Sequence, residues 1–126
     1  MYYYFAGMSV GIIVLQTSII APSMVKTLSR EDFGRSIRTI WPKFFLLVAA
    51  TGVGGMAALF ASATPTTMHF GTAACTALFP LACYAIIPAT NRATDNGDDA
   101  AFKRLHIISV LLTIAVLVAN LAALAN

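Results

Sequence analysis

Apolar positions run almost unbroken through four blocks, residues 2–22, 44–63, 67–89 and 105–125. A helix needs about 20 such residues to cross a hydrocarbon core of about 30 Å. Polar positions gather between the blocks. Lys26, Arg30, Arg35, Arg38 and Lys43 fall between the first two, and Arg92, Lys103 and Arg104 between the last two. All five acids, Glu31, Asp32, Asp95, Asp98 and Asp99, share those two segments. The pattern predicts an all-α integral membrane four-helix bundle, with residues 1–126 forming one transmembrane domain. Composition agrees: the chain is 59% hydrophobic and 10% charged, against about 25% charged in a soluble domain.

The two charged segments hold every Lys and Arg, and spans alternate in direction, so both segments lie on one face. The positive-inside rule makes that face the inner one. Both termini and the short 62–66 turn are then outside. The expected location is a bacterial inner membrane or an organellar inner membrane. Tyr2, Tyr3, Tyr4 and Phe5 suit an interfacial anchor, and the N-terminus lacks the basic start of a signal peptide. The pI of about 9.1 reflects these flanking bases; no basic patch on a nucleic-acid-binding fold accompanies it.

The first charged segment has its own helical pattern. Ser29 is positioned as an N-cap, with Asp32 three residues on. Phe33, Ile37, Ile40, Trp41 and Phe44 recur on one face, with Arg30, Arg35 and Arg38 elsewhere. A short interfacial amphipathic helix is expected here, bending at Pro42 into span two. Lys26, Arg30, Arg35, Arg38 and Lys43 would meet anionic lipid head groups or a partner protein. Pro22 and Pro88 are expected to end spans one and three, and Pro80 to kink the latter. Gly7 and Gly11, and Ala50, Gly54 and Ala58, are spaced by four and suit close helix contact.

Polar residues inside the spans cost several kcal/mol each unless paired. His106, Ser109, Thr113 and Asn120 share one face of span four. Gln16, Thr51 and Tyr84 sit at a comparable depth on the other spans. The candidate cluster is therefore Gln16, Thr51, Tyr84, His106, Ser109 and Thr113. It would serve either as helix glue or as an ion, proton or cofactor site. His69 starts span three at the opposite face, so His69 and His106 cannot ligate one heme in a single subunit. Met68 with His69 forms a weak candidate for a soft metal such as copper. Cys75 and Cys83 lie about 12 Å apart along one helix and cannot bridge. No catalytic or phosphate-binding motif is present.

Two stretches, Arg30–Phe45 (REDFGRSIRTIWPKFF) and Phe102–Asn120 (FKRLHIISVLLTIAVLVAN), carry a resemblance. They resemble a small four-span membrane protein family of unknown function, which includes human transmembrane protein 205 and many bacterial proteins. The matching positions are Gly34, Pro42, Phe102, Arg104, His106 and Ser109. Trp41 stands where Phe is more usual, and Thr113 where Asn is. The resemblance implies four spans and no established enzyme activity. Its architecture is similar to copper-resistance proteins and a heme-binding oxidase, which is a likeness of fold alone.

The favoured expectation is a non-enzymatic accessory or structural subunit of a larger membrane complex, or a homo-oligomer, with the lipid bilayer as its constant partner and no cofactor. The alternative is a small transporter or a metal- or heme-handling protein using the polar cluster around His106. A heme-linked redox enzyme is the third reading.

Overall fold

Each apolar block forms a helix that is longer than the block itself. The computed structural model describes residues 1–126. It contains α1 (Tyr2–Thr27), α2 (Arg30–Phe60), α3 (Thr67–Asp95) and α4 (Asp99–Leu124), and no strand. All four are long and apolar enough to cross a membrane. The starts of α2, α3 and α4 are capped by short polar side chains. Ser29 accepts from the Asp32 amide at 3.1 Å, Thr66 from the His69 amide at 3.2 Å and Asp98 from the Ala101 amide at 3.0 Å. Each cap satisfies one donor that a helix start leaves free.

The α3–α4 turn closes with two backbone bonds, Asp98 N–H to the Ala93 carbonyl at 2.9 Å and Gly97 N–H to the Thr94 carbonyl at 3.2 Å. This is a Schellman motif. It needs a left-handed residue, and Gly97 supplies one at φ +68°.

The prolines do not end helices as expected. The expected short helix with a bend at Pro42 is instead the first part of α2, which runs on through Pro42. Pro42 frees the carbonyl of Arg38, an exposed residue at the interface, where water and head groups can satisfy it. Pro88 does not end span three either, and α3 continues to Asp95. Pro22 does not end span one. The chain instead widens into a π-helical turn over Gln16–Ile20, with the Ala21 N–H bonded to the Gln16 carbonyl five residues back. A wider turn just before a proline eases the clash between its ring and the carbonyl four residues earlier.

The helices form an up-and-down ring in which each packs on its sequence neighbours and α1 closes against α4. One apolar cluster joins Tyr2, Ala6, Ala58, Leu59, Ala73 and Ala123. Both termini and the α2–α3 turn therefore share one end. Ile13, Val48 and Val116 fill the middle, and Phe45, Cys83 and Ile87 the other half. The basic segments lie together beyond that half. There Arg38 pairs with Asp95, linking the α2 extension to the end of α3. The guanidinium holds the Asp95 carboxyl below the usual carboxylate range, chiefly through its hydrogen bond. Arg35 pairs with Glu31 at 3.1 Å one turn away. Lys26, Arg30 and Lys43 are exposed, as are Arg35 and Arg38.

Of the small residues expected to bring helices together, Gly54 and Ala58 are closely packed, while Gly7, Gly11 and Ala50 are not. Gly7 and Gly11 have nothing near the position of a side chain, and Ala50 is exposed. The tight approach is at Gly52, where α2 meets the α3 backbone at Thr76 and Ala77. Gly54 makes room for the Phe5 ring. The apolar side chains left on the outer faces, among them Leu47, Val53, Leu78, Leu111 and Val118, suit hydrocarbon rather than water.

Candidate functional site

A cleft of about 500 Å³ opens between α1 and α4, with α2 as its floor. Its polar wall is built from Gln16 and Thr17 on α1 and from His106, Ser109 and Thr113 on α4. The α4 residues are spaced by three and four, so they stack along one face. The remaining wall is apolar and partly aromatic, with Trp41, Phe44 and Phe45 from α2. Thr17, Val110 and Ile114 line the cleft and are also exposed on the outer surface. The mouth between α1 and α4 therefore faces the lipid.

His106 is held by its ring faces. Trp41 lies nearly parallel to it, with centroids 5.9 Å apart and planes at 12°. Phe102, one turn earlier on α4, is 5.7 Å away at 6°. Such offset stacking fixes the ring plane.

The hydrogen-bond inventory of the cleft is unbalanced. Thr17 donates to the Ile13 carbonyl at 2.7 Å and Thr113 to the Ser109 carbonyl at 2.8 Å. Those hydroxyl hydrogens are already used inside their own helices. By contrast, Nε2 of Gln16 and Nδ1 of His106 are buried with no partner. Gln16 is only 7% exposed. An unpaired buried polar group costs about 1–3 kcal/mol. Two of them beside one cleft are a feature that needs a cause.

The structure brings together Gln16, His106, Ser109 and Thr113 of the expected cluster. It separates the rest. Thr51 faces α1 nearer the termini, where Ser9 meets its hydroxyl at 2.7 Å and the Val48 carbonyl lies 2.6 Å away. Tyr84 is 41% exposed and lines no part of the cleft. Asn120 instead locks α4 to α3, donating to Thr76 Oγ1 and to the Val116 carbonyl, both at 2.8 Å. Trp41, Phe44 and Phe45 were not part of the expected cluster, although their spacing in the amphipathic segment marks one inward face.

At the far end His69 is buried between Tyr2 and Tyr3. Its ring is 4.8 Å from that of Tyr2, and Tyr3 Oη lies 3.4 Å from Nε2. Met68 is exposed beside it. No third His, Cys, Asp or Glu joins either histidine in a group with metal-ligand spacing. His69 and His106 lie at opposite ends of the bundle, as expected from their places in the chain.

No curated protein and no solved structure matches the chain. The model of the family described as Domain of unknown function (DUF4149) matches residues 4–97, more than half of the chain, and the protein belongs to that family.

Proposed function

We propose that this small membrane protein binds an amphipathic small molecule in the cleft between α1 and α4, taking it laterally from the lipid. The observation that carries this is the pair of buried, unpartnered polar atoms on Gln16 and His106 beside a cleft of about 500 Å³. The size and the mostly apolar lining with a few convergent polar groups are those of small-molecule sites. The π-helical turn that begins at Gln16 adds support, because such turns recur at functional positions. On this reading the polar group of the ligand sits against Gln16 and His106, and its apolar part lies along Phe44, Val110 and Ile114.

The accessory-subunit role expected from the sequence rests on small residues on several helix faces, short tails and the lack of a catalytic motif. The cleft favours the handling of a small molecule, for storage, delivery or transport. With the basic end inside, the cleft lies in the inner-leaflet half.

The test is native mass spectrometry of the protein extracted gently from its own membrane, beside a Ser109→Phe variant that fills the cleft. The reading expects a one-to-one adduct on the wild type that is absent from the variant. A bare wild-type chain, or the same adduct on both, contradicts it.

A further inference from the structure

We infer that the ligand of this cleft is of the quinone class: a neutral planar ring bearing carbonyl oxygens on an apolar tail. The inference rests on the cleft being a binding site and adds the chemistry of what it takes. Three observations converge on it.

The first is charge. None of the lining residues is Asp, Glu, Lys or Arg. A carboxylate or phosphate head would lose its hydration there and find no counter-charge. That argues against a fatty acid, a phospholipid head or the propionates of a heme lying in the cleft, and leaves a neutral molecule.

The second is the sense of the hydrogen bonds. The hydroxyl hydrogens of Thr17 and Thr113 are bonded to backbone carbonyls. The unpartnered nitrogen of Gln16 is an amide NH₂, which can only donate. Nδ1 of His106 donates in one of its two neutral tautomers. Gln16 thus has a donor to give, His106 has one in that tautomer, and the Ser109 hydroxyl can donate as well; a carbonyl oxygen is a neutral acceptor that suits them. A sterol or fatty alcohol brings a single hydroxyl and matches these donors less well.

The third is shape. Trp41 and His106 lie nearly parallel, and Phe44 and Phe45 stand beside them with ring centroids 5.2 Å apart. All four line the cleft. Aromatic rings in the wall, met at edge or face, favour a flat ring over a flexible chain. The lipid-facing mouth at Thr17, Val110 and Ile114 leaves a route for an apolar tail into the bilayer.

Trp41 is the only tryptophan, so its emission reports on the cleft without labelling. Wild-type protein in phosphatidylcholine nanodiscs is titrated separately with decylubiquinone, decanoic acid, cholesterol and hemin. The inference expects saturable quenching by decylubiquinone that the other three do not compete away. Gln16→Leu should weaken it about fivefold, the scale of one lost hydrogen bond, and Ser109→Phe should abolish the saturable part. Gln16→Leu removes a buried unpaired amide and is expected to fold at least as well as the wild type, so it serves if Ser109→Phe does not fold. Saturable binding of decanoic acid, cholesterol or hemin, with only linear quenching by the quinone, overturns the quinone assignment and leaves the cleft as a binding site. Linear responses to all four probes overturn both.

Discussion

Gly52→Ala tests the packing that places α2 beneath the cleft. A Cβ at Gly52 would stand 2.3 Å from the Ala77 nitrogen, 2.6 Å from the Thr76 carbonyl carbon and 2.8 Å from the Ala77 Cα. All three are backbone atoms of α3, so no change of rotamer relieves them. Comfortable separation for such atoms is about 3.5–4.0 Å, and the two helices must part locally by about 1 Å. Overpacking of this kind costs about 1–3 kcal/mol. Alanine recovers up to about 1 kcal/mol through its helix preference over glycine. With that full recovery the expected net loss is about 0–2 kcal/mol, and the gap to a Gly→Ala change without a clash is about 1–3 kcal/mol. Parting the helices at Thr76 also strains the Asn120–Thr76 bond. Gly11→Ala is the control, since nothing lies within 4 Å of its added methyl, and it should be neutral or slightly stabilising. Reversible unfolding in detergent, followed by helical circular dichroism, compares the two. Equal stability of the two variants would refute the close α2–α3 approach.

Two further outcomes follow from particular side chains. Gln16→Leu, measured by the same unfolding assay in ligand-free protein, should raise stability by about 1–3 kcal/mol, because it deletes a buried unpaired amide; a loss would mean that Gln16 has a structural partner. For the Arg38–Asp95 pair the folded carboxyl is held below its ordinary value. Its contribution is therefore present above about pH 4, the unfolded value, and disappears as pH falls through the lower folded value. The pair is exposed, so the effect is small and salt-sensitive. The melting temperatures of wild type and Asp95→Asn should differ slightly at neutral pH and converge once the pH has fallen through the lowered folded value; a difference that persists in strong acid refutes the link.

The spans were readable from hydropathy because a bilayer demands long apolar runs. The shared face of the two basic segments followed from alternation, and the Arg38–Asp95 pair agrees with it. The cap at Ser29 was legible because capping is local chemistry. Helix ends at Pro22, Pro42 and Pro88 were not, because a proline near an interface frees a carbonyl that other groups can satisfy. The rotation of each helix about its axis was the hardest part. Helices that are apolar nearly all round carry little directional signal. The α4 stripe was correctly read as an inward face, but which neighbours it met was not. Thr51 and Tyr84 were matched by depth alone, and they turn towards α1 and towards the surface. Gly52 could not be told from Gly7 or Gly11 by spacing, since close approach depends on which helix lies opposite. Trp41 was visible only as one apolar residue in an amphipathic pattern. Its stacking on His106 depends on α2 and α4 facing the same cleft.

The most direct measurement is an experimental structure of the protein purified from its own membrane in lipid. The account predicts density for a small molecule between α1 and α4, with its polar atoms within hydrogen-bond distance of Gln16 and His106. A closed α1–α4 interface, with Gln16 and His106 bonded to protein neighbours, would contradict it.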